Sequence, residues 1–171
     1  MDNTIFINGA ITQATLLEIG KLLRNISREN TDPVNLVINS QGGDIQATLG
    51  IIDCIDSIPN KVYTYALAKC SSAAVFIFLN GDKRYVFKNT IFTIHEPFMS
   101  VDNASSFILK DLIFEYEKLS MYNQRIFDLF EKKANIKKNF LQKKYAEGNW
   151  LLVCEDSMKL GIATDIVSNL P

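Results

Sequence analysis

Three small nucleophilic side chains stand side by side in the stretch AKCSSAAVF, residues 68–76: Cys70, Ser71 and Ser72. They lie between a strand-like run, residues 61–68, and an almost wholly apolar segment, residues 73–79, that reads as a buried helix. A serine at such a junction, Ser72 above all, presents its hydroxyl at a helix N-terminus, where the next backbone N–H groups stabilise a developing oxyanion. Small residues also suit close packing between strand and helix, and local sequence alone fits both readings.

Two further features complete a set. His95, the only histidine, ends an apolar run in TIHEP, and side chains at the strand ends of a parallel sheet face the ligand crevice. Gln41-Gly42-Gly43-Asp44 separates the strand-like VNLVINS from an amphipathic helix. Two adjacent glycines let backbone approach a substrate and aim N–H groups at it. A turn serine, a strand-end histidine and a glycine-lined donor are the nucleophile, base and oxyanion hole of acyl transfer. The patterns GxGxxG, GxxxxGK and HExxH are absent, so no phosphate loop, dinucleotide fold or zinc-peptidase helix competes. Cys54, Cys70 and Cys154 are odd in number and lack CxxC spacing. No metal, cofactor or disulfide framework is expected.

These residues need a sheet to hold them. TIFING opens as a strand, and Thr12 or Thr15 can cap a helix whose apolar positions Leu16, Ile19, Leu22, Leu23 and Ile26 recur at three and four. VNLVINS is a second strand; Asp44 caps the next helix and Pro59 stops it. KVYTYALA is a third strand, KCSS a turn, and residues 84–97 give two short strands more. Strands alternating with helices predict a largely parallel sheet. A long helical pattern from Asn103 to about Ala134, with Leu112, Leu119, Tyr122, Ile126 and Leu129 among its apolar positions, spans roughly 45 Å. That exceeds what a domain of this size covers, so part of its apolar face is expected to meet another subunit. A helix near Lys137–Ala146, another from Glu155 to Gly161 and a last strand, IATDIV, close the chain.

Charge narrows the partners. Eighteen Lys and Arg face 19 Asp and Glu, and the one basic cluster, Lys132, Lys133, Lys137, Lys138, Lys143 and Lys144, has the spacing of a solvated helix face. Nucleic acid is not expected as a partner, because phosphate binding needs a concentrated positive surface. No apolar run reaches the roughly 18 residues that span a bilayer, and no basic leader precedes the first strand. A reducing cytoplasm is the expected location, with no membrane partner.

With motifs and elements in place, the chain resembles the proteolytic subunit of the Clp protease and its relatives, self-compartmentalising serine peptidases of the ClpP/crotonase-like fold. INSQGGDIQATLGIIDCI resembles the family's I-N-S-P-G-G segment, ALAKCSSAAVFIFLNGDKRYVFKN its nucleophile segment, and TIHEPF its M-I-H-Q-P segment. The resemblance runs from about Thr4 to Val167. It implies an α/β fold, a repeated ββα spiral with a protruding handle helix, in one domain over residues 1–171 with the handle at about 103–134. It implies Ser72 as nucleophile, His95 as base, and the backbone N–H groups of Gly43 and Ala73 as oxyanion donors, leaving Cys70 and Ser71 to packing. Peptides or unfolded proteins would be cleaved through an acyl-enzyme inside a homo-oligomeric ring, with an AAA+ unfoldase as the family's partner.

The pattern is broken in three places. Gln41 replaces the family's proline. The third triad position falls on Asn149 when counted from Gly161 and on Gly148 when anchored at Trp150, and neither is acidic; Glu147 is the neighbouring carboxylate that could substitute. Changing a triad Asp to Asn in a serine protease costs about 10⁴ in rate with geometry intact. The chain also begins at the family's first core strand, and Asn35 and Val37 lack the aromatic side chains of the ATPase docking pocket, which weighs against unfoldase docking. These departures keep three alternatives open: a weakened or inactive ring or scaffold subunit, a phage-type maturation protease, and a crotonase-like acyl-CoA enzyme, the last opposed by the serine and histidine pair.

Overall fold

The computed structural model describes residues 3–98 and 109–171. Its first half repeats one unit three times: β1 (Thr4–Ile11) and α1 (Gln13–Glu29), β2 (Val34–Gly43) and α2 (Ile45–Ser57), β3 (Val62–Ser71) and α3 (Ala73–Asn80). Local chemistry sets the boundaries. Thr12 caps α1 and exchanges hydrogen bonds with Thr15 in a capping box, so both threonines serve. The Asp44 carboxylate accepts from the N–H groups of Gln46 and Ala47 at the start of α2. Burial works to raise this carboxyl, but the Ala47 and Gln46 donors and the Gln13 amide outweigh it and hold it below its ordinary value. In α3 every residue is buried, as its lack of a polar face requires.

Beyond these units come β4 (Lys83–Phe87), β5 (Ile91–Ile94), α4 (Leu109–Ala134), α5 (Lys138–Glu147), β6 (Trp150–Val153), α6 (Cys154–Lys159) and β7 (Asp165–Val167). The main sheet runs β1-β2-β3-β4-β7, all parallel. β3 belongs to two layers. Its first half pairs with β4 and its last three residues with β5, and Ala68, at φ 57°, lies between them. The bend carries the end of β3 away from β4 and onto β5, and the Thr90 hydroxyl fastens the corner by donating to the Ala66 carbonyl at 2.6 Å.

Several expectations need adjusting. The glycines of QGGD and the Cys70-Ser71 pair are strand, not turn, because β1 pairs as far as Gly43 and β5 pairs with Lys69–Ser71; Ser72 alone bridges strand and helix. β6 is a strand that the sequence pattern does not mark, and it runs antiparallel to β5. The last strand shrinks to Asp165–Val167, since Thr164 instead binds the Arg84 backbone. Residues 103–108 of the expected handle lie outside the described residues; α4 itself begins at Leu109. The basic cluster is not wholly solvated either, for the Lys133 ammonium is half-buried and donates to the Asn80 carbonyl at 2.8 Å. Among the described residues no helix is long and apolar enough to cross a membrane.

Arg84 locks the far end of the sheet. Its buried guanidinium donates to the carbonyls of Ile162, Gly81, Lys133 and Gly161, at 2.8, 3.3, 3.0 and 3.1 Å. It thereby ties α3, α4 and the segment before β7 together. Arg84→Met is expected to lower stability by about 3 kcal/mol, because buried carbonyls lose charged donors; urea unfolding at fixed chain concentration measures it.

Candidate functional site

β2 and β3 end side by side, with Ser40 opposite Cys70, so the glycine segment and the serine junction meet. The Ser40 hydroxyl donates to the Gly9 carbonyl at 2.6 Å and accepts from Gly42 N–H at 3.0 Å. This holds Gly42 at φ 89°, against the junction. A Cβ there would lie 2.6 Å from the Ser71 carbonyl oxygen and 2.8 Å from the Ala73 nitrogen, so only glycine fits. Along the β1 edge it is Asp44 whose N–H donates to the Ile11 carbonyl, at 2.9 Å.

Ser72 occupies the tightest point. Its φ of 54° and ψ of −127° are strained for any residue with a Cβ, and such strain persists only where surroundings enforce it. They do so here through Gly42 on one side and a 2.7 Å bond from Ser72 N–H to the Thr93 carbonyl on the other. The outcome separates the three candidates. Cys70 is fully buried, and burial pushes its thiol far up, away from the reactive thiolate. Ser71 lies in the β3 ladder opposite Thr93. Ser72 opens into a cleft of about 860 Å³ that it shares with Gly43, Ala73 and His95.

His95 follows the end of β5 and is partly exposed. Its Nδ1 lies 2.8 Å from the Glu96 main-chain oxygen, and its ring is 5.6 Å from that of Phe98. Among the described residues no hydrogen bond joins Ser72 to His95. Asn149 is exposed and shares a second hollow with Ser72, His95, Glu96 and Tyr145, yet no hydrogen bond connects it to His95 among the described residues. Glu147 does not take its place: the carboxylate is bound to Lys144 at 2.7 Å, and that bond holds it below its ordinary pKa.

α4 supplies residues that the sequence did not mark. Tyr122, counted above as an apolar helix position, accepts from the Gln46 amide at 2.7 Å, and Asn123 donates to the Glu96 carboxylate at 3.2 Å. The Tyr145 hydroxyl is buried without a hydrogen-bond partner among the described residues, and burial, with the Glu96 charge nearby, pushes its pKa up. Nothing in residue type or spacing flags these three, because their roles depend on where α4 and α5 land.

A parallel sheet with a strained serine, a strand-end histidine and a glycine edge around one cleft is the architecture of a ClpP-type peptidase. The structure matches that of a ClpP1 mutant from Listeria monocytogenes, bearing an asparagine-to-aspartate substitution, with a TM-score of 0.88 and 25% identity over 98% of this chain and 92% of that one. The ATP-dependent Clp protease proteolytic subunit of Paracoccus denitrificans is 24% identical, with 97% of this chain and 82% of that protein aligned. Its namesake from Carsonella ruddii is 26% identical over 97% and 84%. The sequence model of the Clp protease family matches residues 1–170, and the chain belongs to that family.

Gly42→Ala is expected to lower stability by about 2 kcal/mol or more, combining a disfavoured φ with backbone overlap, and to slow serine-directed labelling. Thermal unfolding and fluorophosphonate labelling rates test both effects.

Proposed function

We propose that the chain is a Clp-type serine endopeptidase in which Ser72 Oγ attacks the scissile carbonyl. His95 Nε2 takes the serine proton and returns it to the leaving amine. The N–H groups of Gly43 and Ala73 hold the oxyanion, which develops at the N-terminus of α3. The observation that carries this reading is the strained Ser72 junction, opening into the same cleft as His95 and Gly43. An inert scaffold has no use for that strain, which disfavours the inactive-subunit alternative.

The cleft, lined by Gln41, Ile45, Phe76 and Leu119 among others, fits peptides or unfolded segments better than a compact fold. Leu109, Leu112, Ile113, Phe114, Tyr116 and Met121 leave much of α4 apolar and exposed. A homo-oligomeric ring, built from a single domain over residues 1–171, would cover that face. An AAA+ unfoldase is the partner that the relatives' description as ATP-dependent supports. Three unpaired cysteines accord with a reducing cytoplasm.

A fluorophosphonate probe should label Ser72 in the assembled protein, and Ser72→Ala should abolish labelling and lower peptide hydrolysis by about 10³-fold or more. Mass spectrometry of the labelled peptide and steady-state kinetics read the two outcomes. Undiminished hydrolysis by Ser72→Ala would rule the assignment out.

A further inference from the structure

We propose that Glu96, rather than Asn149, orients the histidine: its main-chain carbonyl fixes the His95 tautomer, and its side chain anchors that carbonyl to the handle helix. This rests on the peptidase reading above and supplies what that reading lacks, a partner for the far nitrogen of the imidazole.

The distances define the roles. A carbonyl oxygen only accepts, so the 2.8 Å contact between His95 Nδ1 and the Glu96 oxygen places the proton on Nδ1. In the neutral ring Nε2 is then the unprotonated nitrogen, the state a general base requires. The contact spans adjacent residues, so it needs the Glu96 backbone to keep one direction. Two restraints provide that. Pro97 comes next, and a residue before proline is confined to extended conformations. The Glu96 carboxylate, itself only an acceptor, takes a hydrogen bond from the Asn123 amide on α4 at 3.2 Å. Phe98, its ring tilted 38° to the imidazole, limits the remaining freedom of the ring. Asn149 is exposed, and among the described residues it makes no hydrogen bond to His95.

A main-chain oxygen at Nδ1 performs the orienting part of a triad acid's work and a smaller share of its charge stabilisation. Glu96 is therefore a positioning residue. It acts on the reaction through His95 and touches no reacting atom.

Because His95 is the only histidine, ¹⁵N labelling of histidine alone in the assembled protein gives the signals of one imidazole. The expected result is a protonated Nδ1 and a bare Nε2 in the neutral ring, whereas a dominant Nε2–H form, the one preferred by an unconstrained histidine, overturns the proposal. This readout needs no turnover, so it stands apart from fluorophosphonate labelling of Ser72, which reports on the peptidase reading itself. In kinetics, Glu96→Ala should lower kcat for a peptide substrate by about tenfold to 10²-fold with KM little changed, the scale of a misplaced catalytic group. Glu96→Gln, whose amide oxygen still accepts from Asn123, should recover most of that loss. Asn149→Ala should lose less than Glu96→Ala. Equal losses in the two Glu96 variants, or a larger loss in Asn149→Ala, also overturn it.

Discussion

The close approach of Gly42 to the Ser71-Ser72-Ala73 backbone is the constraint on which the site depends. Paired strands normally lie about 4.8 Å apart, at backbone hydrogen-bonding distance. Here the missing Cβ at Gly42 lets the end of β2 press against the end of β3, and the chain must leave β3 through a conformation that costs on the order of 1–3 kcal/mol. Burial of the adjoining helix offsets that strain: eight consecutive residues of α3 enter the core, a gain several times larger. The hydroxyl that results is aimed by backbone geometry rather than by a side-chain partner.

The handle helix has a part in this arrangement as well as a surface to offer. Tyr122 and Asn123 are consecutive, so they leave α4 in different directions, one reaching Gln46 beside the glycine edge and the other Glu96 beside the histidine. The two walls of the cleft, which come from separate strands, are thus tied to a single rigid rod. Its tip is the more apolar and exposed part, while Ile126, Phe127 and Phe130 at its base are buried.

Much of this was legible in order and type. The three repeated units, the caps Thr12 and Asp44, and the alternation of strand and helix all arise from residues close in sequence. The extension of β2 and β3 through their polar ends was not, because pairing with β1 and β5 decides it and neither partner is local. β6 escaped because four residues carry too little periodicity to declare a strand. Ser72 could be marked as a candidate from its place between a strand-like run and a buried helix. The contact at His95 Nδ1 could not, since a main-chain oxygen has no signature in residue type. The same limit applies to the expected third triad position, which the sequence places on either Gly148 or Asn149, both exposed.

α3 has a further consequence. A helix with no polar face cannot detach from the core without exposing its whole circumference to water, so its opening is expected to require global unfolding rather than a local excursion. An enzyme that hydrolyses peptide bonds is itself made of them, and segments that open locally are the ones that such enzymes cut. On the proposed assignment of Ser72, the nucleophile therefore sits at the head of a segment that local opening does not offer to its own chemistry.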